Sequence, residues 1–270
     1  MAVLNDLVGT FEKLWPTALA ETWDAPGLVT GASTLEIRKA LLTVDLTHEV
    51  LEQAIQDGVD LVLAHHPYLM RGVTTMSEST VKGSVISDAI RNGISIYSAH
   101  TNADSAVNGV SEVFAKALGI LDPKPLISNG DGVGLGRYGQ LPASVSLGEL
   151  ATRLAKVLPP TASGIRVAGD YRQQVRSVGL CGGAGDSLLP EAQNLGLDVF
   201  ITADLRHHVV QDAREVRFVG KDTAIIDVSH WASEWLWLEQ AAQDLRKLHS
   251  DVVFEVCDLR TDPWDFVVTQ

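Results

Sequence analysis

Short apolar runs alternate with amphipathic stretches along almost the whole chain. "ALLTVDL" (40–46) reads as a buried strand, and "HEVLEQAIQDG" (48–58) reads as an amphipathic helix closed by Gly58. "VDLVLAHH" (59–66) predicts a second strand, "VKGSVISDAIRNG" (81–93) a helix, "ISIYSAH" (94–100) a third strand and "NGVSEVFAKALGI" (108–120) a helix. Strands and helices joined by short connections imply a parallel or mostly parallel sheet covered by helices. Between 122 and 147 the chain becomes rich in Gly, Pro and Ser, which predicts a junction carrying one strand around "GLGRYGQL". "LGELATRLAKVLP" (147–159) then resumes as a helix.

The second half repeats the grammar of the first. "QVRSVGLCGGAGDSLLPEAQNLGLDVFITADLRHH" (174–208) gives a strand, a Gly-rich turn, a helix, a strand and a histidine-bearing segment. "RKALLTVDLTHEVLEQAIQDGVDLVLAHH" (38–66) gives the same order, so the pattern suggests internal duplication. "TAIIDVSH" (223–230), the helix "WASEWLWLEQAAQDLRKL" (231–248) and the strand "VVFEVCDL" (252–259) are expected to finish the second half. The expected fold is α/β: two similar lobes, 1–125 and 126–270, packed as one unit. Their mixed, mostly parallel sheets should face a central cleft at the strands' C-terminal ends, where such sheets place ligands.

Composition narrows the function. Hydrophobic residues at 46% and charged residues at 20% suit a globular chain and not a disordered one. A net charge of −13, with no basic run, argues against binding a phosphate backbone, whereas a small anionic substrate stays possible if metal ions supply the local positive charge. Cys181 and Cys257 lie in separate apolar contexts and read as reduced, buried thiols, which points to the cytoplasm. The first residues lack the basic start and apolar core of a signal peptide, and no apolar run is long enough to span a membrane.

Candidate chemistry gathers where strands end. His65 and His66 close an apolar run just before Pro67, which cannot continue a central strand and so should turn both imidazoles toward one side. Alone, the doublet reads more simply as one satisfied and one exposed histidine. "SAHTNADSAVNG" (98–109) changes that, because it puts His100, Thr101, Asn102 and Asp104 beyond another strand. In "DVSHWASEW" (227–235), His230 and Glu234 stand four apart at a helix start and share one face. Three of these imidazoles, His65, His66 and His230, with the carboxylates of Asp104 and Glu234, are too many for one tetrahedral ion with an open position. Two divalent ions (zinc, iron, manganese or nickel) bridged by Glu234 account for them better. "GLCGGAGDSL" (179–188) could cradle an anion or be a tight turn with Asp186 as helix cap, and it lacks the Lys and the glycine spacing of nucleotide-binding loops. Asp204, His207 and His208 follow a fourth strand.

Taken in order, "ETWDAPGLVTG", "LTVDLTHEVLEQAI", "LVLAHHP", "YSAHTNAD", "GLCGGAGDS", "ITADLRHH" and "IIDVSHWASEW" resemble the GTP cyclohydrolase I type 2 homologues, also called the Ngg-interacting-factor-three family. The resemblance runs nearly end to end. It implies two α/β lobes around a dinuclear metal site and a ring-like homohexamer. It also implies His65, His66, Asp104, His230 and Glu234 as ligands. His208 and Asp204 match the family's "T-G-D" region, but Ala203 replaces its glycine, and "WDAPGL" departs from the commoner "WDNVGL". The short 122–147 junction leaves no room for the middle domain that longer members insert. The implied activity is that of a metal-dependent hydrolase, cyclohydrolase-like, acting on a small nucleotide-like molecule through metal-activated water. His100 and His208 are the candidates for proton transfer. Asp45, Thr101 and Asp204 are expected to hold substrate or back the ligands. A non-catalytic metal-binding scaffold is the alternative.

Overall fold

In the computed structural model, which describes residues 2–220 and 222–269, the apolar runs become strands of two separate sheets. In chain order these strands are β1 (Gly27–Thr30), β2 (Lys39–Thr43), β3 (Leu61–Ala64), β4 (Ser95–Ser98), β5 (Leu121–Lys124), β6 (Arg137–Ser146), β7 (Arg166–Ala168), β8 (Gln174–Ala184), β9 (Val199–Ala203), β10 (Ala224–Val228) and β11 (Val253–Val256). The principal helices are α1 (Leu4–Leu14), α2 (His48–Gln56), α3 (Val81–Arg91), α4 (Thr101–Ser105), α5 (Val110–Ala117), α6 (Leu147–Val157), α7 (Leu189–Asn194), α8 (His207–Glu215) and α9 (His230–Leu248).

The first sheet has the order β11-β2-β3-β4-β1, with β11, β2, β3 and β4 parallel and β1 antiparallel at the edge. Its central strands are buried on both faces, as continuous apolar runs in a helix-covered sheet must be. One face packs on Val50, Leu51 and Ala54 of α2 and Val85, Ile86 and Ala89 of α3. Thr47 and Thr80 begin those helices by accepting from the amides of Val50 and Gly83, which satisfies donors a helix start leaves open. The second sheet has the order β7-β10-β9-β8-β6-β5, parallel through β8, β9 and β10 and antiparallel elsewhere.

The repeated grammar is physical. In the first unit, Asp60 Oδ2 accepts from the amides of Arg38 and Lys39 at 2.8 and 3.1 Å. In the second, Asp198 Oδ2 accepts from the amides of Arg176 and Ser177 at 2.8 and 2.7 Å. In both, the helix before that Asp ends in a glycine of positive φ, Gly58 at 66° and Gly196 at 64°. The same turn therefore delivers the chain from helix to strand in each half.

Four expectations need correction. The junction at 122–147 does carry the expected strand, as the ten-residue β6, but strand makes up most of it, and β5 lies at one edge of the second sheet. Pro142 is tolerated in β6 because the ladder to β8 breaks between Gln140 and Val145. Second, the Gly-rich stretch is no free turn, since β8 extends through Gly182 and Gly183. Third, α7 follows a single 3-10 turn at Asp186–Leu188, with no side-chain cap from Asp186. Fourth, β11 does not finish the second half but pairs with β2 in the first sheet. The chain accordingly divides at 106/107 and again at 237/238 and 261/262, not once at 125/126. Residues up to Ala106 with Leu238–Thr261 form one unit, and Val107–Trp237 with the residues from Asp262 onward form the other.

Candidate metal centre

In the first unit the ladder continues past β3, with the amides of His65 and His66 donating to Thr43 O and Val44 O. The imidazoles of His65, His66 and His100 then form one cluster, with ring centroids 5.1, 5.3 and 5.4 Å apart. One nitrogen from each lies within 4.8 Å of the others. His65 is fully buried and donates from Nδ1 to Ala99 O at 2.8 Å, since a carbonyl can only accept. The Nδ1 of His66 meets Asp45 Oδ1 at 2.7 Å, and the other Asp45 oxygen accepts from the Thr261 hydroxyl. The Nδ1 of His100 meets Asp24 Oδ1 at 2.8 Å.

Asp104 sits on the short helix α4, where its amide donates to His100 O, and its Oδ1 stands 3.7 Å from His65 Nε2. That separation is too long for a hydrogen bond and close to the roughly 3.4 Å that two donors on one tetrahedral ion take. Buried Asn102 holds this turn: its Oδ1 accepts from the His100 amide and its Nδ2 donates to Trp15 O.

In the second unit, His230 opens α9 directly after β10. Its Nε2 lies 2.9 Å from Oε1 of buried Glu234, one helical turn on, and its Nδ1 meets Asp204 Oδ2 at 2.7 Å. Asp204 follows β9 in a left-handed conformation, φ 57°. Burial would lower the His230 pKa, but the Glu234 charge and the bond to Asp204 outweigh it and raise it to about 11. An imidazole between two carboxylates needs a cation there, whether proton or metal.

Gly183 packs directly against this pair. Its φ is +67°, and a Cβ on it would lie 2.3 Å from Glu234 Oε1 and 3.1 Å from His230 Nε2. Its amide donates to Ser233 Oγ, and its carbonyl accepts from Thr202 Oγ1, so the ends of β8 and β9 and the first turn of α9 are tied together. Only a glycine lets these two donor groups approach the backbone so closely.

Two features fit the donor set to a metal. Four histidines are each held through Nδ1 by a carboxylate or carbonyl, which is how ligating imidazoles are oriented and made more basic at Nε2. Gly183 lets the donor atoms of Glu234 and His230 pack directly against the end of β8. The arrangement also repeats: Asp45 after β2 backs His66 after β3, and Asp204 after β9 backs His230 after β10.

Not every expected residue falls in place. His208 is exposed, packs its ring on His207, and is in neither candidate cluster among the described residues. Thr101 is buried, donating to Asp24 and accepting from the Glu21 amide, so it braces Asp24 and faces no open space. Asp24 was not foreseen. Its side chain is fully buried. Burial would raise its pKa, but bonds from His100 and Thr101 bring it down to about 2. The available signal was an acid in "TWDAPG", immediately ahead of a proline turn.

These observations define an α/β protein whose two sheets each end in histidines backed by acids, with His and Glu clusters able to hold metal. The chain belongs to the Duf34/NIF3 (NGG1p interacting factor 3) family, whose model matches residues 2–263. It is 42% identical over 272 residues to the GTP cyclohydrolase 1 type 2 homolog of Streptomyces coelicolor, covering 98% of this chain and 94% of that one. It is 33% identical to the homolog of the same name in Clostridium perfringens, covering 98% and 99%. Among solved structures, the Bacillus cereus protein related to NIF3 superposes with a TM-score of 0.90 at 24% identity, covering 98% and 99%, which supports the fold.

Proposed function

We propose that this chain is a metal-dependent hydrolase in which His65, His66, Asp104, His230 and Glu234 would hold two divalent ions. The observation that carries the reading is the repeated Asp–His pair, Asp45–His66 in one unit and Asp204–His230 in the other. Zinc, iron, manganese and nickel all accept this mixture of imidazole and carboxylate. Bound there, a pair of divalent ions would lower the pKa of water and supply hydroxide near neutral pH.

The chain's own residues do the rest. Asp45 and Asp204 hold the ligand imidazoles in one tautomer, and Gly183 lets the Glu234 carboxylate sit close to the end of β8. His100, fixed through Nδ1 by ionised Asp24, is the group positioned to hold or pass a proton at Nε2. His208 lies too exposed for that task and is left to contact substrate from the rim. The curated relatives' name supports a small nucleotide-like substrate and ring opening by water. We further propose that the protein works as a ring-shaped homohexamer in a reducing compartment, where buried Cys181 and Cys257 stay thiols.

The test is a hydrolysis screen of the metal-loaded chain against nucleotides, cyclic amides and phosphoesters. Wild type should turn over at least one class, and Glu234→Gln should lose that turnover. A loaded chain that hydrolyses none of them would be a metal-binding scaffold.

A further inference from the structure

Strand β7 ends the second sheet: β10 pairs with one side of it, and no described strand pairs with the other. A cavity opens against each of its faces. Ile165, Val167 and Gly169 line one of about 670 Å³, together with Ala155, Pro159 and Tyr171. Arg166 and Ala168, which alternate with them, line another of about 370 Å³, together with His207, Gln211 and Val167, the last of which borders both cavities. Cavities on both faces of an edge strand are the room that one more strand would fill, its side chains entering each in turn.

The C-terminal segment carries the matching pattern. Asp262 is buried, and its Oδ1 accepts at 2.6 Å from the hydroxyl of Ser229, a residue that lines the larger cavity. Beyond it, "WDFVVT" (264–269) belongs to neither sheet, and Trp264, Phe266 and Val268 are 63, 80 and 76% exposed. In an extended chain those three share one face, and Asp265, Val267 and Thr269 share the other. The first set is apolar like the larger cavity. The second brings Asp265 to the cavity that holds His207 and Arg166, the latter paired with Asp227. Residues 147–176, which carry α6 and β7, contain Arg153, Lys156, Arg166, Arg172 and Arg176 against Glu149 and Asp170, in a chain of net charge −13.

We propose that the second sheet is completed at β7 by the Trp264–Thr269 segment of a second copy of this chain. The chain's own tail stands off from the sheet and leaves its apolar side chains in water. A two-fold exchange covers both tails and both sheet edges with one self-complementary contact. Main-chain bonds to β7 supply affinity, and the alternate side chains supply register. The exchange does not depend on the metal reading.

Thiol cross-linking tests it. Native Cys181 and Cys257 are buried, so Ala155→Cys and Phe266→Cys introduce reactive thiols at exposed positions. The two single variants, co-expressed with different tags and treated with a short bismaleimide, should give a covalent pair at about twice the chain mass. Adding Trp264→Asp to the Phe266→Cys chain should cut that yield at least tenfold. The proposal is overturned if no pair forms between chains, or if linking occurs only within one chain carrying both cysteines.

Discussion

Replacing Gly183 by alanine tests whether the position of the Glu234 carboxylate against β8 matters for metal binding. Two costs are expected. The first is conformational: φ is +67°, and an L-residue there loses about 1 kcal/mol relative to glycine. The second is local: the new Cβ would stand 2.3 Å from Glu234 Oε1, more than 1 Å inside ordinary contact, so the buried carboxylate must move. Gly196→Ala isolates the first cost, because its φ is +64° and nothing lies within 4 Å of its Cβ position. Urea unfolding should therefore show about 1 kcal/mol lost in Gly196→Ala and about 2–4 kcal/mol in Gly183→Ala, the excess coming from the overpacked carboxylate. Zinc affinity, measured by competition with a chelator, should stay at the wild-type value in Gly196→Ala. It should fall at least tenfold, about 1.4 kcal/mol, in Gly183→Ala. Equal stability losses in the two variants, with unchanged zinc affinity in both, would refute the reasoning.

The other predictions concern charge and anchoring. Asp45→Asn and Asp204→Asn should each weaken metal binding 10–100-fold by calorimetry while leaving the fold intact; wild-type affinity in either would remove that Asp from the ligand-orienting role. Asp24, with a folded pKa of about 2 against an ordinary 3.8, stabilises the protein when ionised. Its contribution of about 2 kcal/mol is complete above pH 4 and lost as pH falls through 2. Urea titrations between pH 2 and 6 should show Asp24→Asn with a shallower loss of stability on acidification, and an unchanged slope would count against the buried bond to His100. Asp60→Ala and Asp198→Ala should each cost about 1–3 kcal/mol by urea unfolding, since each strips an acceptor from two backbone amides; a large loss in one and none in the other would deny their equivalence.

Much of the fold was legible because burial writes itself into composition. β2, β3, β4, β9 and β10 are apolar on both faces, and α2 and α3 carry threonine caps and one apolar side. The strand ends were legible too, since His65, His66, His100, Asp104, His230 and Glu234 all follow such runs. What escaped depends on partners far along the chain. "VVFEVCDL" reads as a strand in either half, and only its pairing with β2 assigns it to the first sheet. Gly182 and Gly183 look like a turn because local propensity cannot register the neighbouring Glu234 and Val110 side chains that exclude a Cβ. Asp24 is separated from His100 by 76 residues, so no spacing rule could link them.

The central claim is that the histidines and carboxylates at the strand ends hold metal. Elemental analysis of the purified wild-type chain against His230→Ala tests it most directly. The account predicts about two divalent ions per wild-type chain and a sharp fall in the variant, and a metal content near zero in both would contradict it.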